Sequence, residues 1–411
     1  MVPNGWTLEN FQTLKISTVD GDRGKNYPKK IDYHSEGYSL FLGADNVADG
    51  KLNLDKCIFL TKEKHESMGK GIAREDDILL VMRGNGTGRS CIYRGEIKSF
   101  QARINSGLVI IRHNKEFTNV EFLHQLFLSP LIQKQFEGYM FGSAQPQLTI
   151  QLLKSLRFCI PKLEEQERIA EILSNWDQAI SATEKLLENS QQQKKALMQQ
   201  LLTGKKRLLD ETGLRFNIPW EKYRLETFLK EEKQRNKDNS LSRVLSVTNH
   251  SGFVLPENQF SKRIASDEVS NYKVVIKGQF GYNPSRINVG SFARLDQFDN
   301  GLLSPMYVVF SITSEKLDSD FFLYWMKSNE AKQRINNSTQ GSVRDSVGFD
   351  AISSFALKLP KIQEQRKIAK VLSLADQEIE TLQKKLDYLK QEKKALMQQL
   401  LTGKKRVKVA A

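Results

Sequence analysis

Lys194-Lys-Ala-Leu-Met-Gln-Gln-Leu-Leu-Thr-Gly-Lys-Lys-Arg207 recurs letter for letter as Lys393 to Arg406, at an offset of 199 residues. At that offset Pro161 meets Pro360, Gln166 meets Gln365, Ile169 meets Ile368, Leu173 meets Leu372 and Asp177 meets Asp376, without a gap. Self-similarity at one fixed period marks a duplicated unit, and here one helix is written twice. The register persists upstream: Phe122 falls on Phe321, Leu108-Val-Ile-Ile on Tyr307-Val-Val-Phe, and Gly142-Ser143 on Gly341-Ser342. Each helix therefore follows a related globular domain. Nearer the N-terminus the gapless match breaks, although Trp6 with Leu8-Glu9 loosely resembles Trp220 with Leu225-Glu226. Four blocks result: a domain at 1–160, a helix at 161–207, a second domain at 208–359 and a second helix at 360–411. Turn residues from Thr212-Gly213 to Ile218-Pro219-Trp220 mark the approach to the second domain.

In the second helix Ile368, Leu372, Ala375, Ile379, Leu382, Leu386, Leu389, Leu396 and Leu400 alternate by four and three, broken only by Lys393, which is a coiled-coil seam. The first helix keeps Ile169, Leu173, Trp176, Ile180, Leu187, Leu197 and Leu201 but puts Thr183, Ser190 and Lys194 on the same stripe, so its middle is the weaker part. Both helices open after a proline with acidic residues (Glu164, Glu165 and Glu167; Glu364) and stop near Gly204 or Gly403 beside lysines, as the helix dipole and a glycine cap favour. Some 40 residues at ~1.5 Å each make a rod of roughly 60 Å. A stripe that long needs a partner, and the other copy, packed antiparallel, is the natural one. The expected architecture is α+β: two globular domains separated by two long helices that form an antiparallel coiled coil. Such a pair would hold the domains a set distance apart, and duplex DNA repeats its groove about every 34 Å.

The chain has 411 residues and is 39% hydrophobic, enough for more than one core. A net charge of +14 favours a polyanionic partner, nucleic acid or an anionic membrane. By block the balance is +4, +1, +2 and +7, so half of the excess lies on the last helix and contact by the globular domains rests on a few placed residues. No apolar run approaches the roughly 18 residues of a membrane span, and Met1 to Asn10 lacks a signal-peptide layout. A cytoplasmic protein without a membrane partner is expected. Cys57, Cys91 and Cys159 form no CxxC pair, and the five histidines show no metal-binding spacing, so no metal or catalytic site is assigned.

Three loop motifs are candidates for contact with a polyanion. Arg83-Gly84-Asn85-Gly86-Thr87-Gly88-Arg89 offers backbone amides and two guanidiniums for a phosphate or a guanine edge, or is a tight loop between strands. Its spacing is not that of a nucleotide-hydrolysing phosphate loop. In the second domain Asn283, Ser285, Arg286, Asn288 and Ser291 combine base-reading side chains in one loop, with structural capping as the alternative. Asn283-Pro284 also evokes the Asn-Pro-Pro-aromatic motif of amino-methyltransferases, but Ser285 and Arg286 stand in the last two places. The third pair precedes the helices: Ser143, Gln145 and Gln147 in one domain, Gln340, Ser342 and Arg344 in the other. Gln pairs with adenine and Arg with guanine in the major groove, although turn-forming residues would look alike.

Pro161-Lys-Leu-Glu-Glu-Gln166-Glu-Arg-Ile169-Ala and its twin Pro360-Lys-Ile-Gln-Glu-Gln365-Arg-Lys-Ile368-Ala resemble the start of the conserved helices of type I restriction-modification specificity subunits. Leu-Thr-Gly-Lys-Lys at both helix ends is similar to their terminal motif. Asp77-Ile-Leu-Leu-Val-Met-Arg83-Gly-Asn-Gly-Thr-Gly-Arg89 and Gly281-Tyr-Asn-Pro-Ser-Arg286-Ile-Asn-Val-Gly290-Ser look like segments of target recognition domains. The resemblance implies a subunit without catalysis of its own. Each domain would read one half of a bipartite site in double-stranded DNA, and the helices would fix the gap and bind two modification subunits. It also implies S-adenosylmethionine in the partner methyltransferase and a restriction partner using ATP and Mg, with no cofactor in this chain. The two domains differ in detail, so the half-sites are expected to differ.

Overall fold

The computed structural model describes residues 2–48, 50–84, 86–95, 101–140, 147–256, 268–339 and 346–408. The chain forms two compact units, the first holding residues up to Glu184 and again from Lys384, the second holding Lys185–Gln383. Each unit thus combines a globular domain with half of each long helix.

The first unit contains β1 (Thr7–Glu9), β2 (Ser17–Asp20), β3 (Ser39–Leu42), β4 (Val47–Ala48), β5 (Lys51–Leu52), β6 (Phe59–Leu60), α1 (Lys62–Ser67), β7 (Ile72–Ala73), β8 (Asp77–Val81) and β9 (Ser90–Tyr93). There follow β10 (Gln101–Ile104), β11 (Leu108–Arg112), α2 (Val120–Leu128), α3 (Pro130–Met140), α4 (Ile150–Ser155), β12 (Phe158–Ile160) and the first half of α5 (Leu163–Leu201). An antiparallel sheet in the order β2-β11-β8-β9 forms its centre. Ile78, Leu80, Val109 and Ile111 join the core that includes α2 and α3, whereas Leu79, Val81, Leu108 and Ile110 join the core of the second sheet, β6-β3-β10-β7. Successive side chains of a strand point to opposite faces, so an unbroken apolar run serves two cores. Burying each such side chain contributes about 1.5–3 kcal/mol.

The second unit repeats the plan with β13 (Glu221–Arg224), β14 (Leu229–Glu231), β15 (Ser246–Thr248), β16 (Gly252–Val254), β17 (Lys273–Ile276), β18 (Phe280–Tyr282), β19 (Phe292–Arg294), β20 (Asn300–Leu303) and β21 (Val308–Ile312). It continues through α6 (Ser319–Met326), α7 (Asn329–Thr339), α8 (Phe349–Ser353), β22 (Ala356–Leu359) and the first half of α9 (Ile362–Leu400). Its sheet order β14-β21-β18-β19 matches β2-β11-β8-β9, and β13-β22 matches β1-β12. The core is more aromatic: Phe280 stacks on Phe310 and on Phe292, with Phe322 edge-on to all three.

Within each unit the two half-helices run antiparallel. In the first, Ile169, Ala170 and Leu173 share a core with Met397, Leu400 and Leu401; in the second, Leu201 and Leu202 share one with Ile368, Ala369 and Leu372. The polar seam positions are paired: Lys393 Nζ reaches Asp177 at 2.6 Å in the first unit, and Lys194 reaches Asp376 in the second. Thr183 donates to the carbonyl of Ala179 and Ser190 to Glu378. Buried polar groups so satisfied interrupt the apolar stripe without leaving an orphan.

Both helix starts carry the same latch. Gln166 accepts from the Asn119 amide at 3.0 Å and donates to the carbonyls of Phe117 and Pro161, each at 3.0 Å. Gln365 does likewise with Asp318 (2.8 Å), Lys316 (2.8 Å) and Pro360 (2.9 Å). Next to it, buried Glu165 takes two 2.7 Å bonds from Arg406, and buried Glu364 takes two 2.7 Å bonds from Arg207. Each arginine lies over a tryptophan, Trp6 for Arg406 and Trp220 for Arg207. The preceding glycines close the helices in left-handed conformation, Gly204 at φ +72° and Gly403 at φ +68°. A side chain on Gly403 would start 2.6 Å from Pro3, so glycine is required there on two counts.

Replacing either glutamine, as Gln166→Ala or Gln365→Ala, leaves one buried amide and two carbonyls unmatched. Each change should lower the unfolding free energy by roughly 1–3 kcal/mol in denaturant titrations; a loss below about 0.5 kcal/mol would contradict the latch. A second test concerns His124, which is 6% exposed on α2. Burial pushes its imidazole down to about 4, whereas the unfolded chain takes up the proton near 6.5. Its contribution to stability is therefore complete above about pH 6.5 and is lost as pH falls toward about 4, by roughly 3 kcal/mol. Unfolding measured at intervals over that window should show the decline, and His124→Leu should flatten it.

Candidate nucleic-acid interface

Strands β8 and β9 are joined by a loop at 82–89 that turns on Gly84, Gly86 and Gly88, all at positive φ (+85°, +91° and +92°). A side chain at Gly88 would also meet Gln133 at 3.2 Å and Phe136 at 3.3 Å, because α3 passes beneath. The hydroxyl of Thr87 donates to the Gly84 carbonyl at 2.7 Å and so helps to hold the turn. Arg89 follows the turn, its amide bonded to the Gly86 carbonyl at 2.9 Å. Arg83 is half-buried and its Nε has no hydrogen-bond partner. Asn85 lies outside the described residues.

The same place in the second unit, between β18 and β19, is the loop 283–291. Asn283 Oδ1 accepts from the Ser285 amide at 3.0 Å, Asn288 Oδ1 accepts from the Val289 amide at 2.9 Å, and Gly290 turns at φ +97°. Ser291 is 5% exposed and donates to the Val247 carbonyl at 2.7 Å, which anchors the loop. Ser285, Arg286 and Asn288 are exposed. Just before them, burial pushes the Tyr282 phenol above its ordinary range and keeps it neutral. A cleft of about 200 Å³ opens beside the loop and brings Asn283, Arg286 and Ser291 together with Ser246, Thr248, Asn249 and Tyr307. These last four escape a reading of single motifs; the turn Asn249-His-Ser-Gly252 is the one local signal, and only the packing of β15 and β16 against β19 brings it to the loop 283–291.

The third pair docks on these loops. The amide of Leu148 donates to the Met82 carbonyl at 2.8 Å, and Gln147, which is exposed, pairs with Arg83. At the corresponding point the amide of Val347 donates to the Pro284 carbonyl at 3.0 Å. In both units the segment that leads toward the long helix is therefore tied to the first residues of the hairpin loop. Ser143, Gln145, Gln340, Ser342 and Arg344 lie outside the described residues. The structure thus unites Arg83, Thr87, Arg89 and Gln147 on one edge of the first unit, and Asn283, Ser285, Arg286, Asn288 and Ser291 on the equivalent edge of the second. Such an edge offers guanidinium and amide groups with no carboxylate among the residues named, the chemistry of phosphate and base-edge contact. Among the described residues no cluster of histidine, cysteine and carboxylates could hold a metal, and no helix is long and apolar enough to cross a membrane.

Comparison with known proteins bears directly on this arrangement. The model of the type I restriction modification DNA specificity domain matches residues 9–190 and 271–391. The chain is 25% identical over 424 residues, spanning 97% of it and 94% of the relative, to the type I restriction enzyme MjaVIII specificity subunit of Methanocaldococcus jannaschii. The putative MjaX specificity subunit of the same organism is 26% identical, spanning 99% of this chain and 95% of the relative. Among solved structures, the type I restriction-modification S subunit from M. genitalium aligns with TM-score 0.59 and 15% identity, over 98% of this chain and 99% of that one. A chain from a structure of the type I R-M system, concerned with its assembly and conformational transition, aligns with TM-score 0.56 and 17% identity over 98% of both. The solved structures share the fold, and because the family's two matched stretches together cover most of the sequence, the chain belongs to the type I restriction modification DNA specificity family.

Proposed function

We propose that this chain is the sequence-reading subunit of a type I restriction-modification complex and carries no catalytic site of its own. Each globular domain reads one half of a bipartite site in double-stranded DNA. The observation that carries this reading is the repeated edge: two equivalent hairpin loops, each tied to the segment ahead of a long helix, on one frame but with unlike side chains. In the first domain Arg83, Arg89 and Gln147 are the contact residues; in the second, Ser285, Arg286 and Asn288 at the mouth of the cleft. A frame used twice with different loops suits two different half-sites. The long helices set the gap between the halves and present their outer faces to two modification subunits. S-adenosylmethionine belongs to those partners, and ATP and Mg to restriction subunits that join them.

The length of α5 supports the ruler role, since each added helical residue adds ~1.5 Å. Inserting one heptad just ahead of Thr203 should widen the gap in the methylated sequence by ~10 Å, about 3 base pairs. Mapping methylated adenines in cells carrying the intact system reads this directly, and an unchanged gap would defeat the ruler. Arg286→Ala should weaken binding of the target duplex by about 1–3 kcal/mol, or roughly tenfold or more, if the guanidinium meets a guanine edge. Equal affinity of the variant for target duplex would remove Arg286 from the interface. Methyl transfer by the purified chain without a partner would overturn the whole assignment.

A further inference from the structure

A cleft of about 530 Å³ lies on the second unit, lined by Lys222, Tyr223 and Arg224 of β13, Arg334 and Asn337 of α7, and Ser354 to Ala356 leading into β22. Its lining holds three cations and no carboxylate. Two features make it costly as it stands. Lys222 is paired directly opposite Lys358 across the β13-β22 ladder, and like charges so placed repel. Neither lysine, nor Arg224, forms an ion pair among the described residues. Arg334 bonds Glu330 at 2.8 Å through one terminal nitrogen, while its Nε is buried with no partner. Three cationic side chains, Lys222, Arg224 and Arg334, on one cleft match the charge of a phosphoryl group.

The first unit shows that the frame does not require this. There the position of Lys222 is Leu8, opposite Cys159 rather than a lysine. At the offset of 199, Arg334 corresponds to Gln135, which closes the corner by donating to the Arg157 carbonyl at 3.0 Å and accepting from its amide at 3.3 Å. The cationic cleft is therefore particular to the second domain. Arg334 lies on α7, and that helix packs against the candidate contact loop at Ile287–Val289. A duplex lying on that loop carries backbone phosphates to either side of it.

We infer that the cleft between β13, α7 and the start of β22 is a phosphate-binding site, filled by a DNA backbone phosphate flanking the half-site that the second domain reads. The inference rests on the DNA-reading role proposed above and adds a positioning contact to it. The test uses the full chain in complex with its methyltransferase partner and compares wild type with Arg334→Gln, which installs the first unit's residue, and with Lys222→Ala/Arg224→Ala on the exposed strand face. Thermal melting shows that each variant is folded. Duplex affinity is measured across a salt series and inorganic pyrophosphate binding by calorimetry. Expected are a roughly tenfold weaker duplex affinity at low salt, a log–log salt slope shallower by about one, weaker pyrophosphate binding, and the same methylated sequence. Lost pyrophosphate binding with an unmoved duplex slope assigns the cleft to a free phosphate compound and overturns the backbone contact. If neither changes, the inference fails; if only association with the methyltransferase weakens, the cleft is a surface for an acidic protein and the inference fails likewise. A wild-type complex with no salt-dependent retention on duplex defeats the DNA-reading role itself, and the pyrophosphate arm then decides the cleft alone.

Discussion

An amphipathic helix of 39 residues cannot leave its apolar stripe in water, and in each unit that stripe is covered by the opposite end of the other helix. The start of α5 needs the end of α9, and the end of α5 needs the start of α9. Neither domain is complete without a segment far away in the chain. This requirement explains why the most strongly repeated letters lie on the helices: a carboxylate at one helix start answers an arginine just beyond the other helix's end, twice over. A buried carboxylate without its guanidinium would be expensive, so the pairing selects the antiparallel register as well as stabilising it.

With helix starts held this way, the sheets inherit a fixed position. The glutamine latch bonds the backbone just ahead of α2 or α6, and those helices in turn cover one face of the central sheet. The hairpin loops at the sheet ends are free of that duty. They vary between the units in length and in residues, 82–89 against 283–291, while the strands that carry them keep the same order. Rigid frame and variable loop are separated in space, which lets recognition change without repacking a core.

The seam, the duplication and the strand runs were legible because they are periodic, and period is a local property of the sequence. The ion pairs across the helices were not. Glu165 and Glu364 read as ordinary dipole-compensating residues, yet each is buried under an arginine more than 150 residues away in the chain. Lys194 and Lys393 look like breaks in the stripe and are the residues that bond Asp376 and Asp177. In the loops, composition alone could not tell an exposed side chain from an anchor. Thr87 and Ser291 share the polar character of Arg286 and Asn288, but their hydroxyls are occupied by backbone carbonyls.

The sequence by itself determined that one domain-and-helix unit is used twice, that the helices pair through an apolar seam, and which segments connect the strands. Hydrophobic period and exact repetition need only neighbouring letters to be read. Tertiary structure alone decided which polar side chains face solvent, which carboxylate meets which arginine, and that β13, α7 and β22 gather cations into one cleft. Those outcomes depend on distance between residues far apart in the chain, and burial and charge pairing act through distance.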